Sequence, residues 1–437
     1  MPITPWFLPI CLNRCAKGLT LAIAAVLAMF GMAASAAPAK EPDMVPTPSV
    51  KPASAENPNT SAYQADEFRQ FLESIWPKAD AAGVSRATFD NAISGLTPDS
   101  AVLEKSANQE DFTITIAQYL AQSVSPEGAT LGHDLAASLS EPLEKIQARS
   151  GVPSEILVAF WGVESNYGSS AGDTDILRAL ATLAFRQYRG SLFLDEFVAA
   201  LVMLEKGYVT RAHLVGSWAG AMGQPQFMPS SYLKHAVSYE GSRPADIWSS
   251  NTDVLASIAN FIQKAGWISG LPWGVEVIIP DSFDFASLRD SFANWQAQGF
   301  HAASGKPLPE AGNATLFMPA GAKGPAWLIT DNFRVIMRYN TSEAYALSVG
   351  ILAQQIAGED GIRTPWPEDF KPLPTTEIEA AQQALTKLGL YQGNVDGRIG
   401  PATRDAVHAY QIKVGLKPAD SLLTPDLAQR LRSGAAL

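Results

Sequence analysis

The stretch VPSEILVAFWGVESNYG, residues 152–168, decides the fold of this chain, because a strong helical pattern there ends in a single carboxylate, Glu164. Pro153 suits the first turn of a helix, and apolar residues then recur at helical spacing. Glu164 lies on the apolar stripe of that helix, seven residues after Leu157 and three after Trp161. A buried, unpaired carboxylate is costly, so we expect Glu164 to be neutralised, paired or used in chemistry.

This position would give Glu164 the properties of a general acid. Burial against aromatic rings raises the pKa of a carboxylic acid, and the negative end of a helix dipole acts in the same direction. Glu164 would then be protonated at neutral pH, which is the state that a general acid requires. The alternative is a glutamate at the helix end that points to solvent, and this stretch alone does not distinguish the two.

A second informative segment is GSWAGAMGQPQFMPSSY, residues 216–232. Its glycines let the backbone approach a ligand closely, and Ser217 and Gln226 offer the hydrogen-bond partners that a sugar requires. Small residues at a tight crossing of two helices would explain the glycines. They would not explain Gln226 followed by Phe227 and Met228, so the segment favours a binding role.

The first 36 residues are typical of an export signal. Arg14 and Lys17 precede an apolar run that ends in the cleavage pattern Ala-Ser-Ala, with cleavage expected after Ala36. The alternative is a retained transmembrane anchor, but such an anchor needs about 20 apolar residues and this run is shorter. We therefore expect the protein to be exported to the periplasm.

Cysteine content and charge narrow the structural and binding options. Cys11 and Cys15, the two cysteines of the chain, both lie in the predicted signal peptide, so the mature protein would hold no disulfide. Removal of Arg14 and Lys17 with that peptide takes the formal net charge from −11 to −13. Because phosphate binding needs a basic surface, this charge argues against nucleic acid as a partner.

Composition divides residues 37–437 into two linkers and two domains. Residues 37–61 are rich in proline and small polar residues and predict an extended linker. Residues 62–362 predict the main domain, and a second proline-rich linker follows at 363–374. The tail, 375–437, contains two similar half-motifs, each a turn followed by a helix, which is typical of a small binding module.

The predicted fold class is α+β and predominantly α. Helical patterns cover most of the main domain, for example at 68–76 and 192–205. Short β-like runs separated by Gly/Pro turns occur at 275–279, 326–329 and 333–339. The simplest interpretation is a helical core with a small β insertion.

Five sequence blocks, taken together, resemble the motifs of the lytic murein transglycosylase B family in the family's order. They are WGVESNYG (161–168), GSWAGAMG (216–223), QFMPSSY (226–232), IANFIQKAGW (258–267) and YNTSEAY (339–345). The resemblance implies a lysozyme-like catalytic core. It also implies cleavage of the β-1,4 bond between N-acetylmuramic acid and N-acetylglucosamine in peptidoglycan.

The resemblance also assigns candidate site residues. Glu164 matches the catalytic acid of the family. The residues that match its sugar cleft are Ser217, Gln226, Tyr339, Asn340 and Tyr345. Tyr119, in DFTITIAQYL (111–120), is a further candidate that rests on its spacing to Glu164.

The resemblance assigns one catalytic carboxylate, Glu164, where ordinary glycosidases use two. One glutamate must then act first as acid and afterwards as base, and in this family it acts on the C6 hydroxyl of muramic acid, so that a 1,6-anhydro sugar forms. Asp173 and Asp175 could provide a second carboxylate, but we interpret them as residues that start the helix at 176–185. The alternatives are a hydrolytic muramidase that uses the same Glu164, or a catalytically silent peptidoglycan-binding scaffold.

Members of the family can carry a calcium loop before the helix that begins here near Asp253. This chain reads SYEGSRPADIW at 238–248, with too few regularly spaced oxygen ligands, so we expect no calcium and no cofactor. Gln224 and Pro225 also depart from the aromatic residue or glycine often found there, which leaves the shape of the local subsite open.

The tail resembles a small three-helix peptidoglycan-binding domain, with Tyr391, Arg398 and Gln411 as candidates for its ligand face. The expected partners are therefore peptidoglycan glycan strands, together with proteins of cell-wall synthesis or remodelling. We expect a monomer.

Overall fold

The structure is a computed structural model that describes residues 58–107, 115–241, 243–368 and 372–433. The predicted signal peptide and most of the linker predicted at 37–61 lie outside these residues. The last four residues of that linker, 58–61, are not extended as predicted but belong to a helix, Pro58–Ser74. The described residues form eighteen α-helices and seven short β-strands. The predicted α-dominated α+β class is confirmed. None of the helices in these ranges is long and apolar enough to cross a membrane.

Within the described ranges, seven α-helices precede residues 152–168. They are α1 (Pro58–Ser74), α2 (Trp76–Ala81), α3 (Arg86–Ile93), α4 (Ser100–Ala107), α5 (Ile116–Ser123), α6 (Pro126–Ser138) and α7 (Ser140–Ser150). A capping box fixes the start of α5, since Thr115 and Gln118 each bond the other's backbone N–H. This start sets the position of Tyr119, which follows within the first turn.

Helix α8 (Ser154–Ser165) is the centre of the main core and carries Glu164. It begins directly after Pro153, and eight of its twelve residues are buried. Helices α6, α7, α12 (Asn251–Lys264) and α15 (Glu343–Ile356) pack around it. Because α8 has neighbours on most of its circumference, its polar side chains have little access to water.

The remaining helices of the main domain surround this centre. They are α9 (Ile176–Phe185), α10 (Leu192–Glu205), α11 (Pro229–His235), α13 (Phe292–Ala297) and α14 (Asp331–Tyr339). The helix predicted at 192–205 is confirmed with its predicted bounds.

The strand predicted at 333–339 is wrong, because these residues form most of α14. The side chain of Thr330 accepts a hydrogen bond from the Asn332 backbone N–H and so caps the start of a helix. Phe333 and Ile336, three residues apart, are buried on one helical face. The apolar residues of this short run fit periods of both two and 3.6, so their pattern alone was ambiguous.

The β insertion is a five-stranded antiparallel sheet with strand order β4-β6-β7-β3-β5. Its strands are β3 (Gly274–Ile278), β4 (Arg289–Ser291), β5 (His301–Ala302), β6 (Asn313–Phe317) and β7 (Ala326–Ile329). The strands predicted at 275–279 and 326–329 are therefore confirmed, and they pair with each other. A separate two-stranded pairing joins β1 (Thr174–Asp175) to β2 (Val215–Gly216).

The C-terminal module contains α16 (Thr375–Lys387), α17 (Pro401–Lys413) and α18 (Pro425–Ser433), with a hydrophobic core of its own. Its two half-motifs are held in the same way. The buried amide of Gln382 bonds the backbone N–H groups of Asp396 and Gly397. Gln411 bonds Asp420 and the backbone N–H of Ser421 in the second half.

The loop that precedes α12 closes on a fully buried carboxylate, that of Asp253. The backbone N–H groups of Tyr239 and Asp246 donate to its two oxygens at 3.0 and 2.8 Å. The guanidinium of Arg243 donates to the same carboxylate at 2.8 Å. Asp253 therefore organises this loop and anchors it to the first turn of α12.

Asp253→Ala should lower the free energy of unfolding by about 3 kcal/mol, because buried backbone donors would lose a charged acceptor. Chemical denaturation of the purified variant measures this loss. Asp360→Ala is the matched control, since it removes an exposed carboxylate paired with Arg363, and it should cost less than about 1 kcal/mol. Equal losses in the two variants would contradict the organising role of Asp253.

Candidate active site

Glu164 is a buried carboxyl group near the centre of the main domain. Its side chain is 1% exposed. Burial raises the pKa of Glu164 to about 8, and the hydrogen bond from Tyr345 acts against this rise. The Tyr345 hydroxyl donates to Oε1, whereas Oε2 has no hydrogen-bond partner. Glu164 is therefore protonated at neutral pH and keeps one oxygen free, as expected for a general acid.

The backbone ends α8 abruptly after Glu164. Asn166 and Tyr167 adopt left-handed conformations, with φ of 47° and 56°, and Gly168 follows with φ of 87°. The Tyr167 hydroxyl donates to the carbonyl of Gly128 on α6 at 2.7 Å, which holds this turn against the core. Such strained conformations persist where packing determines them fully, and they are frequent at functional sites.

The glycine-rich segment lies beside this turn. β1 and β2 pair so that Thr174 faces Gly216, and Gly216 and Phe227 each form an isolated bridge with Met222. A methyl group added at Gly172 would lie 2.3 Å from the Gly216 carbonyl oxygen. Only glycine permits this close approach of the two loops.

Ser217 closes the tip of the glycine-rich segment. Its hydroxyl oxygen accepts a hydrogen bond from the Ala221 backbone N–H at 3.1 Å, and its own N–H donates to the Ala221 carbonyl at 2.7 Å. The side chain is half-buried. Its position at a bonded turn fixes the hydroxyl relative to the rest of the segment.

Gln224 joins the glycine-rich segment to α8, a role that the sequence analysis missed. Its Oε1 accepts from Nε1 of Trp161 at 2.7 Å, and its Nε2 donates to the Trp248 carbonyl at 2.9 Å. Trp161 is three residues before Glu164 on the same helix. Gln224, which departs from the family pattern, therefore links the glycine-rich segment directly to α8.

Two polar side chains of the site keep an unused hydrogen-bonding atom. Gln226 Nε2 donates to the carbonyls of Ala171 and Gly223, but its buried Oε1 has no partner. Asn340 Oδ1 accepts from the Ser342 N–H, but its buried Nδ2 has none. With Glu164 Oε2, these account for three of the seven unpartnered buried side-chain polar atoms in the described ranges. Such orphan atoms in a native structure require an explanation, and a ligand provides one.

Three tyrosines gather around Glu164. Burial raises the pKa of Tyr345, Tyr339 and Tyr119, and the proximity of Glu164 raises each of them further. Tyr339 donates to the Pro225 carbonyl, which ties it to the glycine-rich segment. These three phenols stay protonated at neutral pH, so they surround the acid with hydroxyl groups and add no negative charge.

The structure thus brings Glu164 together with Tyr119, Tyr339 and Tyr345, and it links Gln226 to the same region through the segment that Tyr339 contacts. Asp175 is the N-cap of α9, where it accepts from the Arg178 N–H at 3.1 Å, as the sequence predicted for a residue that starts this helix. Asp175 also pairs with Arg211.

Two of the three candidates for the ligand face of the C-terminal module are buried. Tyr391 and Gln411 are both 5% exposed. The Tyr391 hydroxyl donates to the Asn394 carbonyl, and the Gln411 amide is bonded to Asp420 and Ser421. Both side chains hold turns of the module together. Arg398 is exposed and stays a candidate.

Comparison with known families gives two matches. The family described as Transglycosylase SLT domain matches residues 67–354, and the family described as a peptidoglycan binding domain matches residues 374–431. The membrane-bound lytic murein transglycosylase B of Escherichia coli strain K12 is 32% identical to this chain over 246 residues. That match covers 55% of this chain and 67% of the relative.

The solved structures that are similar to this chain include the following two. SltB3 from Pseudomonas aeruginosa, in complex with NAG-anhNAM-pentapeptide, is 41% identical with a TM-score of 0.77, covering 84% of this chain and 99% of its own. The lytic transglycosylase Slt35 from Escherichia coli, in complex with calcium, is 30% identical with a TM-score of 0.55. It covers 67% of this chain and 93% of its own. The lysozyme-like lytic transglycosylase fold is confirmed.

The calcium in the Slt35 complex raises the question of a metal here. The buried Asp253 carboxylate is already bonded by Arg243 and two backbone N–H groups. A guanidinium beside this carboxylate opposes a divalent cation at the same oxygens. In the described ranges, no three His, Cys, Asp or Glu residues lie close enough to hold a metal ion. The residues of this loop do not fit calcium.

The free energy of unfolding of Glu164→Gln should exceed that of the parent by an amount that increases as the pH rises. The folded-state pKa of about 8 lies above the ordinary value near 4.3. Between these values the native state holds a proton that the unfolded state releases, so the stability of the parent falls with rising pH. Each pKa unit corresponds to about 1.4 kcal/mol. Between pH 4 and pH 9 the free energy of unfolding of the variant should therefore rise, relative to that of the parent, by an amount on the order of a few kcal/mol.

Denaturation midpoints of the two proteins across this pH range measure the effect. Glu144→Gln, at an exposed position on α7, is the control and should follow the parent. Parallel profiles for Glu164→Gln and the parent would show that Glu164 titrates as an ordinary carboxyl group.

Proposed function

This chain belongs to the transglycosylase SLT domain family and is a lytic transglycosylase that cleaves glycosidic bonds of peptidoglycan, and we propose that Glu164 is its single acid and base. The bond cleaved is the β-1,4 linkage from N-acetylmuramic acid to N-acetylglucosamine, and the products carry 1,6-anhydromuramic ends. One observation carries the proposal. Glu164 is a buried, protonated acid with one oxygen unpartnered.

The hydrogen bonding of Glu164 favours one of its two oxygens for the carboxyl proton. Tyr345 keeps its own proton, because burial and Glu164 raise the pKa of its phenol. The Tyr345 hydroxyl donates to Oε1, so the carboxyl proton occupies Oε2, the oxygen without a partner. That proton is available to the leaving oxygen of the glycosidic bond.

Glu164 becomes a carboxylate once the proton has left. The Tyr345 hydroxyl remains bonded to Oε1 and stabilises the new charge, whereas Oε2 can accept a proton from the incoming nucleophile. In the proposed reaction this nucleophile is the C6 hydroxyl of the same muramic acid. The same carboxyl group thus acts as acid in the first step and as base in the second.

The positive charge that develops at the anomeric carbon has no partner carboxylate in this scheme. The substrate's own N-acetyl group would meet it, held by the neighbouring polar side chains. Asn340 offers a free N–H donor and Gln226 a free carbonyl acceptor, and Ser217 lies at the bonded turn of the glycine-rich segment. An N-acetyl group needs both a donor and an acceptor, which these side chains provide.

The chain acts on peptidoglycan glycan strands, and we infer that the site of action is the periplasm. The signal sequence predicted at residues 1–36 supports export. Proteins of cell-wall synthesis or remodelling are proposed as further partners, and the protein is proposed to act as a monomer.

Glu164→Gln should lower turnover by about 10²-fold to 10⁴-fold, the contribution typical of acid–base catalysis. Release of soluble fragments from purified sacculi measures this. The Glu144→Gln control should keep parental turnover. Near-normal activity of Glu164→Gln would remove Glu164 from the mechanism.

The product separates a transglycosylase from a muramidase. A C6 hydroxyl oriented beside the anomeric carbon has an effective concentration on the order of 10⁵ M or more, so it should capture the intermediate before water does. Digestion of sacculi in water enriched in heavy oxygen should give unlabelled products, each lighter by one water than a hydrolysed fragment. Labelled reducing ends would identify water as the acceptor and the enzyme as a muramidase.

A further inference from the structure

One face of the C-terminal module contacts the main domain through polar side chains. The contacts join Arg404 to Glu343, Asp405 to Arg289, Asp420 to the Ala322 N–H, and His408 to the Phe285 carbonyl. Three of these four partners in the main domain belong to the β insertion and its loops. Glu343 belongs instead to α15, the helix that packs directly on α8.

The Arg404–Glu343 pair differs from the other ion pair of this interface in its burial. Nε of Arg404 lies 3.0 Å from Oε2 of Glu343, and the two side chains are 10% and 6% exposed. The Arg289 and Asp405 side chains are 59% and 63% exposed. An exposed pair contributes little, whereas removal of one partner of a buried pair leaves an uncompensated charge in the interior.

Glu343 occupies a sensitive position in the main domain. It is the first residue of α15 and lies within the segment 339–345, which carries the site residues Tyr339, Asn340 and Tyr345. Ser342 is the N-cap of this helix and accepts from the Tyr345 backbone N–H at 3.3 Å. The backbone that positions the Tyr345 side chain therefore passes through the residue that Arg404 binds.

A short series of contacts leads from the module to the acid. Arg404 bonds Glu343, Glu343 lies two residues before Tyr345, and the Tyr345 hydroxyl bonds Glu164. The Arg404 guanidinium also lies 5.1 Å from the Phe317 ring centroid. Without Arg404, Glu343 would take up a proton or turn toward solvent, and in both cases the first turn of α15 would lose the charged contact that holds it.

We propose that Arg404 of the C-terminal module is a positioning residue for the reaction, because its pairing with Glu343 holds the first turn of α15 and so keeps Tyr345 against Glu164. The inference rests on the proposed roles of Glu164 and Tyr345. The C-terminal module would then have a second role beside wall binding, because it also holds a helix of the active site in place. Arg404 does not touch the reacting atoms.

Arg404→Gln tests the proposal in the full chain, with a soluble glycan fragment of alternating N-acetylglucosamine and N-acetylmuramic acid as substrate. Such a fragment does not require anchoring to the wall. We expect kcat to fall by about 10-fold to 10²-fold, because displacement of a supporting group by about 1 Å has effects of this size. KM should change less than kcat, since Tyr345 acts on the acid.

Arg289→Gln is the matched control, because it removes the exposed ion pair of the same interface and leaves α15 untouched. It should keep the parental kcat. Equal losses of kcat in Arg404→Gln and Arg289→Gln would overturn the proposal, since the effect would then come from loosened docking of the module. A parental kcat in folded Arg404→Gln would also overturn it.

The double variant Glu343→Gln/Arg404→Gln covers the case in which Arg404→Gln folds poorly. It removes both charges and leaves two amides that can bond each other, so it should recover most of the kcat lost in the single variant. A double variant no better than Arg404→Gln would overturn the proposal. The product assay in heavy-oxygen water, run on the parent, tests the proposed function. The comparison of kcat among the variants tests the role of Arg404 separately.

Discussion

The hydrogen bond from Tyr345 to Glu164 is the interaction on which the site depends. Burial disfavours the charged form of Glu164, so the group holds a proton at neutral pH. Among the described residues, Tyr345 supplies the hydrogen bond to Glu164, and its hydroxyl can remain bonded to both forms of the acid. A cation at this position would stabilise the carboxylate and lower the pKa, and the acid would then be lost.

Three segments that are far apart in sequence hold this pair in position. Helix α8 carries Glu164, the segment 216–228 carries Gln224, and the segment 339–345 carries Tyr345. The bond from Trp161 to Gln224 joins the first two segments, and the bond from Tyr339 to the Pro225 carbonyl joins the last two. The pair from Tyr345 to Glu164 completes this triangle.

Much of this arrangement could be predicted from local sequence. The period of apolar residues before Glu164 predicts its helix and burial, and the glycines of 216–223 predict a close backbone approach. The run at 333–339 could not be assigned, because its apolar residues fit a strand and a helix equally well. The pair of Arg404 and Glu343 could not be predicted either, since its partners are 61 residues apart and belong to different modules.

The buried carboxylates of the described residues show why position in the core alone does not identify an acid. Glu196 accepts two hydrogen bonds from Ser230, and Glu343 accepts one from Arg404. Asp253 accepts hydrogen bonds from Arg243 and two backbone N–H groups. Asp420 accepts hydrogen bonds from Gln411 and two backbone N–H groups. Each of these four has donors that explain its burial structurally. Glu164 has a single tyrosine hydroxyl and one free oxygen. Because folding alone does not favour such a group, its presence supports the proposed role of Glu164 in proton transfer.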